Sequence, residues 1–137
     1  MAADGTTSSL TLRNGLRRLG RIARRPGLVV VVSDFRGPVD WRTAMRALAA
    51  RHSTVAVEVR DPREVTLPAA GRLSLVDPES GAHLQADTSN APLRERYESL
   101  ERAGREAVAV TLRRARARHV VLSTDGPWLR ELGRGLR

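Results

Sequence analysis

The sequence has no cysteine, no lysine and few aromatic residues: one Phe, one Tyr and two Trp in 137 residues. Without cysteine there is no disulfide framework, no thiol nucleophile and no cysteine-ligated metal, in agreement with a reducing compartment. The scarcity of aromatics argues against a platform on which nucleic-acid bases stack. No long apolar run is present. The longest, residues 28–32, falls far short of the ~20 residues that a membrane helix needs. The opening residues, MAADGTTSSL, lack the charged and apolar regions of a secretory signal. These absences together predict a soluble cytoplasmic chain with no membrane segment of its own.

Charge of one sign is plentiful. The formal net charge is +9, from 24 basic and 15 acidic residues, and every basic residue is arginine. An arginine-only set points first to the codon usage of a GC-rich genome. Many of the arginines fall on helix faces or beside glutamate, where a solvated face accounts for them. A basic nucleic-acid-binding domain using the stripe Arg13, Arg17 and Arg21 is therefore carried only as an alternative, because charge by itself reports non-specific association.

Residues 1–9 are small and polar and are predicted to be frayed. Leu12, Leu16, Leu19 and Ala23 then recur at helical spacing through residues 10–25, with Arg13, Arg17, Arg21 and Arg24 on their own stripe. Pro26 and Gly27 end that helix. Residues 28–32, LVVVV, read as a strand buried on both faces, since nothing in them alternates with polar residues. Asp40 is the expected N-cap of a second helix over 41–52, with Met45, Leu48 and Ala49 inward. TVAVEV at 54–59 reads as the next strand, ended by Arg60, Asp61 and Pro62. LSLV and HLQA flank DPESG and predict a hairpin, inserted at 63–87, with its turn at 77–81. Ser89 or Asn90 caps a long helix with Pro92 in its first turn, whose inward side is expected to be Leu93, Tyr97, Leu100 and Ala107. A last strand over 119–122 leads through Ser123, Thr124, Asp125 and Gly126 to a short helix over 127–136.

Apolar strands alternating with helices specify parallel strands joined by right-handed crossovers. The predicted fold is α/β, a three-layer α/β/α arrangement with a short parallel sheet of three core strands plus the hairpin insertion, forming one domain over 1–137. Each core strand ends in an acidic residue: Asp34, Asp61 and Asp125. Ligands of open α/β sheets bind beyond the strands' carboxyl ends, and clustered carboxylates there suit a hard divalent cation. Ser33, Ser123 and Thr124 could add hydroxyl oxygen. Turn chemistry accounts for Asp61 before Pro62, and helix capping for Asp125 or Thr124. Asp34 is the best placed of the three. His52, expected to close a helix, His83, and His119, expected to open a strand, lack zinc-ligand spacing. No phosphate-binding glycine loop and no nucleophile elbow is present. Trp41 and Trp128 each start a helix and read as core anchors.

The series VVVVSDF, AVEVRDPRE, LSLVDPESG, DTS ahead of a helix containing RERY, and HVVLSTD followed by WL resembles the carboxyl-terminal part of the domain of unknown function 58 family. The likeness runs from about Leu12 to Leu136, and its motifs are specific as a set. That family resembles von Willebrand factor A domains, a Rossmann-like fold, and many members are encoded beside MoxR-type AAA+ ATPases or carry membrane anchors upstream. The resemblance implies a domain that holds a divalent metal at the sheet's carboxyl edge through DxSxS, a threonine, and an aspartate after the fourth strand, with a partner's carboxylate completing the shell. Asp34, in SDF, matches the fourth-strand aspartate. The threonine motif, T-x-x-x-x-[AG]-L, falls on LTLRNGL and places Leu10 where threonine belongs, and no DxSxS occurs. The chain then resembles the second half of an A domain, with strands four to six.

One carboxylate does not hold Mg²⁺ against its hydration shell, so no cofactor is expected for this chain alone, with Mg²⁺ possible once a DxSxS half is supplied. The resemblance implies a bacterial protein–protein interaction module with an incomplete metal-ion-dependent adhesion site at Asp34, and a MoxR-type AAA+ ATPase as partner. Homo-oligomerisation through an exposed strand edge is a further expectation. The enzymatic alternative is a metal-dependent hydrolase using Asp34, Ser123 and Asp125; no catalytic residues are assigned.

Overall fold

A computed structural model describes residues 11–65, 72–76, 80–87 and 89–137. The frayed segment expected at 1–9 and most of the turn expected at 77–81 lie outside the described residues. The chain divides into two units, one made of residues 1–60 and 107–137, the other Asp61–Glu106.

The first unit is built on a parallel sheet. Helix α1, Leu12–Ile22, is capped by Thr11, whose hydroxyl accepts from the Asn14 N–H at 3.3 Å. Strand β1, Leu28–Ser33, helix α2, Arg42–Arg51, and strand β2, Ser53–Arg60, follow. The unit is completed by the end of helix α4, Ala91–Arg114, by strand β5, Arg118–Ser123, and by helix α5, Trp128–Gly135. The sheet order is β1-β2-β5, with Val31 beside Ala56 and Ala56 beside His119 in a parallel register.

Both crossovers step in the same direction along the sheet, so right-handedness sends α2 and α4 to one face. Met45 and Leu48 of α2 and Val108 and Leu112 of α4 pack there with Leu16 of α1 against Val29, Val31 and Ala56. Among the described residues the opposite face is covered by α5, through Leu132 on Val55, Val57, Val120 and Leu122. The α/β/α layering with three parallel strands is thus present, but its two outer layers are unequal.

That inequality corrects the reading of residues 28–32. β1 is buried on one face only: Val29 and Val31 point into the core, whereas Leu28, Val30 and Val32 are 68%, 52% and 65% exposed. The strand is an outer one, and no β1 side chain joins the cluster beneath α5. A wholly apolar strand reads as doubly buried only when neighbours exist on both faces.

Three smaller corrections concern helix ends and faces. Asp40 does not cap α2, whose N-cap is Trp41 with no side-chain cap bond; instead it lies 3.6 Å from the Arg13 guanidinium. Asn90 does cap α4, accepting from the Leu93 N–H at 3.4 Å. The buried stripe of α4 is Val108 and Leu112, continued by Ala115, while Leu100 and Ala107 are exposed. Trp41 is a core anchor at 1% exposure, but Trp128 is 53% exposed.

In the second unit a short helix α3, Pro62–Val65, precedes the predicted hairpin. Its strands are β3, Arg72–Val76, and β4, His83–Asp87, antiparallel with Leu75 beside Leu84. No helix among the described residues is long and apolar enough to cross a membrane.

Candidate functional site at the carboxyl edge of the sheet

The chain leaves β1 through a tight turn fixed by its own side chains. Ser33 Oγ accepts the Phe35 N–H and Asp34 Oδ1 accepts the Arg36 N–H, each at 3.0 Å. Phe35 sits at φ 51°, and Gly37 at φ 88°. A bulky side chain in the left-handed region costs about 1–3 kcal/mol and persists only where its surroundings hold it. Here they do: Phe35 is 3% exposed and packs edge-on to Trp41, with ring centroids 5.2 Å apart. Burial of this aromatic pair therefore sets where Asp34 points out of the sheet.

At the end of β2 lies a residue that the motif analysis passes over. Glu58 is fully buried. Its Oε1 accepts from Arg60 Nε at 3.1 Å, and its Oε2 lies 2.7 Å from His119 Nε2 on β5 and 3.4 Å from Arg60 Nη2. A carboxylate inside a sheet is retained only when paired in this way. The sequence did carry a signal, a single acid within an otherwise apolar strand expected to be buried, and such a residue demands a partner. Ser33 stands beside Glu58 in the register.

The other two strand-end aspartates are engaged locally. Asp61 receives the Arg63 N–H and both the Nε and Nη2 of its guanidinium, at 3.0, 3.2 and 2.9 Å. The Arg63 side-chain bonds, then its backbone N–H, hold the Asp61 carboxyl below its ordinary range. Asp125 Oδ1 accepts from Ser123 Oγ at 2.5 Å, and the Ser123 N–H donates to Glu131 Oε2 at 3.3 Å. Asp125 is not the cap of α5, whose N-cap is Pro127 without a side-chain bond. His52 is the C-cap of α2 and His119 lies at the start of β5, as the sequence predicts.

The structure thus joins Ser123 to Asp125 at the end of β5 and sets Ser33 and Asp34 at the end of β1, with β2 between the two strands. Two strand spacings amount to about 10 Å. No three His, Asp or Glu side chains among the described residues form a group able to hold a metal. What the edge offers is an exposed carboxylate on a rigid turn, next to an outer strand with one bare apolar face.

Comparison with known proteins gives a consistent family. The family described as "Protein of unknown function DUF58" matches residues 2–107. An uncharacterized protein of Mycobacterium avium is 39% identical over 123 residues, covering 90% of this chain and 72% of the relative. Uncharacterized proteins of Mycobacterium tuberculosis and Mycobacterium bovis are 42% identical over 116 residues, covering 85% of this chain. The chain spans only 36% of the length of those two relatives. No solved structure matches.

Proposed function

The chain belongs to the DUF58 family of proteins of unknown function, and from that membership we propose that it acts by binding, as the second half of a von Willebrand factor A-like domain. Three parallel strands lie in chain order with the first at the outside, which is the arrangement that strands four to six of such a domain would have. The observation that carries the reading is β1. It is an outer strand of five consecutive apolar residues, three of them exposed on the face where α5 packs over β2 and β5 but no β1 residue joins the described cluster. Unpaired apolar strands associate unless something caps them. A partner that adds a strand beside β1 gains main-chain hydrogen bonds and an apolar contact together.

In this reading Asp34 is one ligand of an adhesion-type metal site whose remaining ligands come from the added half or from the partner. The partner proposed is a MoxR-type AAA+ ATPase, met on the cytoplasmic side. The test is co-purification of this chain with the MoxR-type ATPase of the same genome, with and without Mg²⁺. Binding should be lost in Val30→Lys and Val32→Lys, and Asp34→Ala should abolish any Mg²⁺ dependence, with circular dichroism unchanged. An ATPase that is not retained, or is retained equally by the β1 variants, would overturn the proposal.

A further inference from the structure

The net charge is distributed very unevenly. Residues 12–51 carry ten arginines against two aspartates, Asp34 and Asp40, a net of +8; the other 97 residues carry fourteen arginines against thirteen acidic residues. Helices α1 and α2 contain no acidic residue at all. They pack side by side and leave between them an open groove of about 500 Å³. Its floor is apolar and made of small side chains, with Gly20, Ala44 and Ala47 beside Leu48. Its walls carry Arg13 and Arg17 from α1 and Arg51 from the end of α2.

These arginines are not equally occupied. Arg13 lies by Asp40, and Arg51 Nη2 donates to the Arg24 carbonyl at 2.9 Å. Among the described residues no hydrogen bond or ion pair engages Arg17, which lines the groove. An apolar floor one helix wide between cationic walls selects a definite ligand. Small floor residues admit a helix backbone closely, anchors at i, i+3, i+4 and i+7 fill the floor, and carboxylates at the flanks meet the arginines. The ten residues of α2 give a groove about 15 Å long, matching a helix of about ten residues.

We propose that the groove between α1 and α2 is a docking site for an acidic amphipathic helix of a partner protein. Nucleic acid fits it less well. A phosphate backbone would leave the apolar floor uncovered, Asp40 would repel it at one end, and the groove lining contains no aromatic ring on which a base could stack. The proposal is independent of the β1 reading, because the two surfaces share no residue.

The experiment is fluorescence anisotropy on the full chain with three labelled probes. One is a synthetic amphipathic helix with a Leu/Ala face and Glu flanks, the second the same helix with Lys flanks, and the third a short DNA duplex. The acidic helix should bind saturably, and more weakly as salt rises from ~0.05 to ~0.5 M. The Lys-flanked helix should not bind. Arg17→Glu should weaken the acidic helix about fivefold or more, an exposed ion pair being replaced by repulsion. Ala47→Trp, which fills the groove from an exposed position, should weaken it comparably. Thermal melting of both variants should match the parent, and Val30→Lys should bind the acidic helix normally. Equal binding of both peptides, indifference to Arg17→Glu and Ala47→Trp, or a stronger response of the duplex than of the acidic helix to these variants would each overturn the proposal.

Discussion

Glu58 is a carboxylate held within the sheet by Arg60 and His119, and the consequences of breaking that group depend on which member is removed. Replacing Glu58 with Leu leaves behind Arg60, whose side chain is 33% exposed and can turn to water. Replacing Arg60 with Leu takes the guanidinium away from the buried carboxylate. Removing one partner of a buried ion pair costs about 3–5 kcal/mol because it leaves an uncompensated buried charge, and the cost falls where the charge left behind can reach water. Urea unfolding should therefore show Arg60→Leu destabilised by about 3 kcal/mol and Glu58→Leu by about 1 kcal/mol or less; the reverse order would show that the carboxylate does structural work beyond this pair. A second expectation concerns Asp61. Its carboxyl is held low by Arg63, so its contribution to stability is present above the unfolded-state pKa and is lost as pH falls through the folded one. Carboxyl-carbon NMR should show Asp61 titrating below its ordinary range in the parent chain and back within it in Arg63→Ala. The strand-end positions of Asp34, Asp61 and Asp125 were readable from the sequence, because an acid after an apolar run marks an edge. The pairing of Glu58 with His119 was not, since the two are 61 positions apart along the chain.

Strands and helices test the alternation that β1 shows. Val31 faces the core and Val30 faces outward at 52% exposure, although both sit in the same run of valines. Val31→Lys should cost more than about 3 kcal/mol or prevent folding. Val30→Lys should change stability by no more than about 0.5 kcal/mol, and paired urea titrations distinguish the two. Helix α5 offers a second contrast. A Cβ added at Gly135 would lie 2.7 Å from both Val120 methyl carbons, while one added at Gly133 meets nothing within 4 Å. Gly135→Ala should lower stability by about 1–3 kcal/mol through overpacking on β5, and Gly133→Ala should raise it by up to about 1 kcal/mol through helix propensity, both read from thermal melts. Element types were legible because apolar runs and 3.6-residue stripes differ plainly. Element faces were less so. In α4 the stripe anchored on Leu93 and Leu100 is not the one that meets the sheet. That task falls to Val108 and Leu112, in the part of the helix that belongs to the first unit, and no local pattern announces where a long helix passes from one unit to the other.

On the scale of the whole molecule, both described core clusters draw only on residues 12–57 and 108–132. The order of the parallel strands follows from alternation and crossover handedness, which is why the layered sheet could be anticipated from the sequence. An exposed edge on β1 was an expectation from the resemblance to the second half of an A domain; which of its faces would be bare could not be read, because a wholly apolar strand marks neither face. The hairpin expected at 63–87 is inserted between β2 and α4 and lies in the second unit, whereas the two described clusters are built from residues of the first unit. An insertion that lies outside another unit's core is a place where replacement is tolerated. Loop closure also grows only slowly with length, at about 0.6 kcal/mol per doubling. Replacing residues 63–87 with a Gly/Ser linker of about six residues should therefore leave cooperative unfolding intact and the midpoint within about 5 °C of the parent. The acidic-helix probe should bind the shortened chain as it binds the parent, since every residue of the α1–α2 groove lies at position 51 or before. Loss of cooperative unfolding would show instead that the hairpin is part of the fold's foundation, and that the sheet depends on a segment outside both clusters.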